Sequence, residues 1–187
     1  KTLNLLDKIL PIYKEVIGKL SDLGAEWIQI DEPILVKDLD EEVISRIKPT
    51  LNELKKASKN SKILITTYFE SLDKKIHEKL STSDVDAIHL DLVRGAENKN
   101  YIQNENKILS LGIIDGRNIW KSDLNSKIKF LQQSAKSENE IIISTSCSLL
   151  YCPYDLDLEK KVPEEIKRWL SFSKQKLNEL NLIKTFI

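Results

Sequence analysis

One cadence restricts the fold of this chain more than any other feature: a stretch with apolar residues at helical spacing, a short β-favouring run, and then the same pair again. Apolar residues at Leu5, Leu6, Ile9, Leu10, Tyr13, Ile17 and Leu20 recur with helical periodicity until Asp22-Leu23-Gly24 interrupts them. Trp27-Ile28-Gln29-Ile30 then reads as a strand, closed by Asp31-Glu32-Pro33, where proline ends the ladder. The pattern predicts helices over Glu41 to Ala57, Asp73 to Leu80 and Leu124 to Ala135, a short helix near Ile102, and one long final helix from Pro163 to Leu182. Strands are expected over Lys62 to Tyr68, Ala87 to Val93, Leu109 to Ile114 and Ile141 to Thr145. Five strands joined by helical crossovers, at intervals of roughly 30 residues, imply parallel βα units with right-handed connections. The fold class is α/β.

An open, flavodoxin-like sheet and part of an eight-stranded barrel both satisfy that cadence. No glycine-rich turn follows any strand, because the five glycines are scattered singly. A dinucleotide fingerprint and a phosphate-cradling loop are therefore excluded. Strand parity favours the barrel. Gln29 with Asp31, and His89 with Asp91, alternate against Ile28 with Ile30 and Ile88 with Leu90. A closed barrel would turn its apolar set outward onto helices and its polar set toward the mouth. About five strands of a TIM-type (β/α)8 barrel, incomplete in this chain, is the expected architecture.

The 187 residues are 41% hydrophobic and 31% charged, ordinary for one domain. Lysine plus arginine total 29 and aspartate plus glutamate also total 29, so no bulk field gathers nucleic acid or an anionic membrane surface. No apolar run approaches the roughly 18 residues of a membrane span, and the Lys1-Thr2-Leu3-Asn4 start is unlike a signal peptide, so a cytoplasmic setting is expected. The chain contains no methionine, and Lys1 reads as an internal cut. Cys147 and Cys152 lack the Cys-x-x-Cys spacing of redox pairs and zinc ribbons.

Ligands of parallel α/β proteins gather at the carboxyl ends of the strands. Those ends here carry Gln29, Asp31 and Glu32; Thr66, Thr67, Tyr68 and Glu70; His89, Asp91 and Arg94; Asp115 and Arg117; and Ser144, Ser146, Cys147 and Ser148. Each also has a plainer reading. Asp31-Glu32-Pro33 serves equally as a cap for the next segment. His89 fits a hydrogen-bonded core histidine as well as a ligand, and His77 fits a solvated helix position. Asp115-Gly116-Arg117-Asn118 reads as a tight turn or as a substrate clamp. Ser144 to Ser148 lacks the Gly-x-Ser-x-Gly frame of a nucleophile elbow.

Trp27-Ile28-Gln29-Ile30-Asp31-Glu32-Pro33 resembles the Ile-Asp-Glu-Pro strand end carried by both barrels of cobalamin-independent methionine synthases. The set Leu64-Ile65-Thr66-Thr67-Tyr68-Phe69-Glu70, His89-Leu90-Asp91-Leu92-Val93, Gly112-Ile113-Ile114-Asp115-Gly116-Arg117-Asn118-Ile119-Trp120 and Ser144-Thr145-Ser146-Cys147-Ser148-Leu149-Leu150 is similar, in order and spacing, to the N-terminal barrel of that family. The resemblance runs from about Leu10 to Leu182 and implies that residues 1 to 187 are a later part of a non-catalytic N-terminal barrel.

In that family the C-terminal barrel transfers a methyl group from methyltetrahydrofolate polyglutamate to homocysteine, whose thiol is activated by zinc. Laid on its ligand pattern, the histidine-cysteine strand corresponds here to Ile65-Thr66-Thr67-Tyr68, the glutamate to Asp91 and the last cysteine to Cys147. Asp91 and Cys147 alone fall short of the four donors zinc prefers, leaving at most a weak residual site. No metal, no cofactor and no catalytic residue is expected in this piece. Asp31 stands where the catalytic repeat holds homocysteine's amino group, and is expected to hydrogen-bond structurally. The candidate rim is Asp31, Glu32, Thr67, Tyr68, Asp91, Arg117 and Cys147. The implied partners are the catalytic barrel and, for the parent enzyme, its two substrates. Two other readings stay open. One is a small independent methyltransferase or lyase of the same barrel superfamily that uses Asp31, Asp91, Arg117 and Cys147 around a substrate carboxylate, since arginine forks suit carboxylates. The other is a fragment that dimerises to cover open sheet edges.

Overall fold

The computed structural model describes residues 3–134 and 140–187. Its five strands are β1 (Trp27–Asp31), β2 (Lys62–Thr66), β3 (Ala87–Asp91), β4 (Ile108–Ile114) and β5 (Ile141–Thr145), in the order β1-β2-β3-β4-β5. The registered pairs are parallel. Because each strand lies beside its predecessor, the order is that of a barrel wall and lacks the reversal that marks a doubly wound sheet. Among the described residues no helix is long and apolar enough to cross a membrane.

The chain divides into two compact units. The described residues of the first fall within Lys1–Thr67, Leu72–His89 and Glu105–Ile108. It holds helices α1 (Leu6–Asp22), α2 (Glu41–Ala57) and α3 (Lys74–Ser81). Helix α2 buries Ile44, Ile47, Leu51 and Leu54, a spacing that sets four side chains on one helical face. They join Ile63, Leu64, Ile65, Ile76, Leu80 and Ile88 in the core. Asp86 links strand and helix, with Oδ2 accepting from the Ile63 amide at 2.7 Å and lying 2.8 Å from Lys55 Nζ. Helix α1 departs from expectation. Ile17 is its one buried residue, while Ile9, Ile12, Tyr13, Val16 and Leu20 are exposed. Its periodicity formed the helix, but α2 covers only the side that carries Ile17 and the Lys14–Glu53 ion pair.

The described residues of the second unit fall within Tyr68–Ser71, Leu90–Asn104 and Leu109–Ile187. The short helix expected near Ile102 is a 3-10 helix, Ala96–Asn104. Helix α4 spans Leu124–Ser134, and the expected last residue of that helix, Ala135, lies outside the described residues. Strands β4 and β5 pair with a register shift between Gly112 and Ile114, a bulge that re-aims the end of β4. The single long final helix is corrected. The chain forms a short α5 (Glu164–Lys167), leaves helical geometry, and resumes as α6 (Ser173–Lys184). Leu170 bridges Trp120, with Lys121 N donating to Trp169 O at 2.9 Å and Ser171 N to Ile119 O at 2.7 Å. Those bonds replace the helical ones, and they let Leu170 pack with Leu156 and Phe172.

Strands β2 and β3 end earlier than Tyr68 and Val93, at Thr66 and Asp91. Beyond β2, Phe69 turns into the left-handed region at φ 78°, and beyond β3 the Asp91 side chain captures the backbone that would have continued the ladder.

Candidate functional site

The seven candidate rim residues fall into two groups. Asp31, Glu32 and Thr67 belong to the first unit and Tyr68, Asp91, Arg117 and Cys147 to the second. In the first, Asp31 is exposed at the end of β1 and accepts from Gln29 Nε2 at 2.7 Å. Glu32 is half-buried, and its amide donates to Thr66 O at 2.9 Å. Burial pushes its carboxyl above the usual range, against the pull of the Ile34 amide. Thr67 is fully buried and its hydroxyl donates to His89 O at 2.8 Å. His89 itself is 1% exposed.

The second unit gathers the remaining groups at the ends of β3, β4 and β5. Asp91 is completely buried, and its carboxylate accepts three backbone amides: Phe69 at 2.9 Å, Val93 at 2.8 Å and Arg94 at 2.9 Å. Such a carboxylate organises three loop residues and has little capacity left for another ligand. Asn98 Nδ2 donates to Asp91 O at 2.9 Å and closes the same turn.

Past β4, the half-buried Asp115 repeats the device. Its Oδ1 accepts from the Arg117 amide at 2.8 Å and its Oδ2 from Asn118 Nδ2 at 3.0 Å. Gly116 is required between them. A Cβ there would lie 2.5 Å from Cys147 O and 2.9 Å from Cys147 Sγ, so the β4 and β5 ends meet only because that atom is missing. The Gly116 amide donates to Ser146 Oγ at 3.2 Å, and Thr145 Oγ donates to Cys147 O at 2.8 Å. Cys147 is 2% exposed. Burial pushes its thiol above the ordinary range. The Ser146 hydrogen bond pulls it back, Asp91 and Asp115 push it further up, and Arg117 pulls it down. Among the described residues no group of three or more His, Cys, Asp and Glu side chains is placed to hold a metal ion.

Arg117 is held differently from the others. Its Cζ stands 5.0 Å from the Phe69 ring centroid and 5.4 Å from that of Tyr151, and the two rings meet edge to face at 6.2 Å and 73°. Tyr68 packs on Phe69 at 5.6 Å. Phe69 and Tyr151 were absent from the rim expected from sequence. Far apart along the chain, they carry no local signal that they meet over an arginine.

Fold and rim together define a parallel α/β protein of the barrel-wall type, with its polar groups at the carboxyl ends of the strands. Residues 1–139 match the family described as "Cobalamin-independent synthase, N-terminal domain", and the chain belongs to that family. Over 186 residues it is 40% identical to the 5-methyltetrahydropteroyltriglutamate–homocysteine methyltransferase of Acidithiobacillus ferrooxidans, which covers 97% of this chain and 23% of the relative. Over 185 residues it is 43% identical to the protein of that name from Nitrosomonas europaea, covering 97% and 24%. Over 191 residues it is 41% identical to the chloroplastic methyltransferase 3 of Arabidopsis thaliana, covering 98% and 24%. The chain thus spans about a quarter of the length of the curated relatives it matches. A putative vitamin-B12-independent methionine synthase from Listeria monocytogenes shares the fold at TM-score 0.66 and 14% identity, over 100% of this chain and 55% of that one. A sugar phosphate isomerase/epimerase from Parabacteroides distasonis shares it at TM-score 0.51 and 12% identity, over 95% and 64%.

Proposed function

We propose that this chain is a non-catalytic scaffold portion of a cobalamin-independent methionine synthase. The parent enzyme would transfer a methyl group from 5-methyltetrahydropteroyltriglutamate to homocysteine, and its C-terminal catalytic barrel would be this portion's partner. Relatives that bear that activity in their names extend well beyond the matched quarter of their length. The observation that carries the scaffold reading is the commitment of Asp91. At the position of a metal-binding glutamate in the catalytic repeat, its oxygens accept three backbone amides. Cys147, at the position of the last cysteine, is a buried thiol whose thiolate is disfavoured by that burial. The rim so arranged shapes loops; it does not activate a sulfur.

Two measurements test the reading. Calorimetric titration of the purified chain with zinc is expected to give no stoichiometric binding, and stoichiometric binding abolished by Cys147→Ser would overturn the metal-free scaffold. With homocysteine, 5-methyltetrahydropteroyltriglutamate and zinc supplied, the chain is expected to form no methionine above the buffer blank. Turnover would instead support an independent methyltransferase.

A further inference from the structure

The Arg117 side chain packs on two aromatic rings and, among the described residues, is engaged by no acceptor. Its Cζ packs over both the Phe69 and the Tyr151 ring, at 5.0 and 5.4 Å, in the corner where the two rings meet edge to face. Among the described residues, no hydrogen bond or ion pair uses its side-chain donors; the only one the residue donates comes from its backbone amide, to Asp115 Oδ1. The nearby carboxylates are already engaged. Asp115 accepts from the Arg117 amide and Asn118, and Asp91 from three other amides. A guanidinium packed against two rings and left without an acceptor presents its free N–H edge as a fork.

We propose that Arg117, packed against Phe69 and Tyr151, anchors a binding site for a ligand carboxylate at the carboxyl end of β4. Three features choose this ligand class. With its face against the rings, the exposed guanidinium keeps its N–H edge for a flat carboxylate, which makes two parallel hydrogen bonds there. Phosphate is usually cradled by several free backbone amides. Here the amides of Gly116 and Arg117 are spent on Ser146 Oγ and Asp115. Arg94 adds a second exposed cation beside the same turn, in a loose ion pair with Nη2 3.8 Å from Asp115 Oδ2. That second charge favours a ligand with two carboxylates over one.

The backbone around Arg117 is built with the same bias. Phe69 occupies the left-handed region at φ 78°, a conformation unfavourable for a bulky residue, and the Asp91 carboxylate holds its amide at 2.9 Å. Without that turn the Phe69 ring would not lie under Arg117. The site stands independently of the scaffold reading, because holding a carboxylate requires neither metal nor catalysis.

Titration of the labelled chain with glutarate, acetate and inorganic phosphate, followed through arginine Nε–H resonances, tests the assignment. Glutarate is expected to shift the Arg117 resonance saturably and more tightly than acetate, with phosphate weakest. Arg168, stacked at 5.6 Å on the single ring of Trp169, is the internal control and should move without saturation. Arg117→Lys keeps the charge but loses the fork, and is expected to weaken glutarate by about tenfold or more at an unchanged urea midpoint. Tyr151→Ala should weaken it as well by freeing the guanidinium. A non-saturating Arg117 response, an equal response at Arg168, or tighter binding of phosphate than of glutarate would each overturn the proposal, and the wild-type titration decides these without any variant.

Discussion

At the scale of single residues, the carboxyl ends of the strands are organised by side chains that replace a lost ladder. Asp91 is the strongest case, since one buried carboxylate satisfies three amides. Asp91→Ala would strand those donors, and leaving even one buried amide unpaired costs about 1–3 kcal/mol. We expect a loss of roughly 3 kcal/mol or more in urea unfolding, and a smaller loss for Asp91→Asn, which keeps one acceptor. An alanine variant within 1 kcal/mol of wild type would mean that water reaches these amides freely. Gly116 is constrained by contact, not by backbone angle. In Gly116→Ala the new methyl meets the Cys147 carbonyl and sulfur, atoms of the backbone and of a buried side chain that cannot swing away. The expected cost is about 1–3 kcal/mol, and the Arg117 resonance should shift with it, because the residue follows directly on the displaced turn.

At the scale of elements, what was legible in the sequence was whatever is decided locally. The strands were readable because runs such as Lys62-Ile63-Leu64-Ile65 and Ile141-Ile142-Ile143 concentrate β-branched residues, and α2 because its apolar residues keep one face. The family was legible from the order of strand-end motifs. The features that escaped are non-local. The break between α5 and α6 depends on Trp120, a distant bridge partner that no helical periodicity reveals. The packing of Arg117 on Phe69 and Tyr151 joins three residues from three separate loops. The exposed face of α1 shows the converse limit: periodicity identified a helix but did not say what covers it. The α5–α6 break makes its own prediction. Leu170 is 5% exposed among Leu156, Phe172, Ile119 and Val162. Leu170→Ala should cost about 2–4 kcal/mol as a cavity in this small cluster, with midpoint loss in urea and little change in far-ultraviolet dichroism, because the flanking helices keep their own hydrogen bonds.

At the scale of the whole molecule, each unit carries carboxylates and lysines whose ionisation differs between folded and unfolded states, so stability must vary with pH. In the first unit, hydrogen bonds from Lys14 and Lys56 lower Glu53 from 4.5 to about 2. In the second, Lys174, Gln175 and the Asp157 amide lower Asp155 from 3.8 to about 2. A carboxylate depressed in the folded state stabilises the fold fully above its unfolded value, and that contribution is lost as protons bind on the way down. Stability should therefore fall between pH 4.5 and about 2 in the first unit and between pH 3.8 and about 2 in the second. The lysines act at the other end. Burial lowers Lys176, fully enclosed with Nζ donating to Asn118 Oδ1 and Trp120 O, and lowers Lys107 in the first unit. Below 10.5 the unfolded chain holds these protons more firmly than the folded one, so their contribution rises as pH climbs toward that value. Urea midpoints measured from pH 2 to 10 are expected to climb on the acid limb, whereas on the alkaline limb the rise from Lys176 and Lys107 is opposed by the raised thiols of Cys147 and Cys152 and the raised ammonium groups of Lys56, Lys75 and Lys174. Asp155→Asn should flatten the acid limb of the second unit, and Lys176→Met should remove its share of the alkaline rise while leaving the acid limb unchanged. An alkaline slope untouched by Lys176→Met would show that the enclosed ammonium is as comfortable there as in water, and that its two acceptors fully offset its burial.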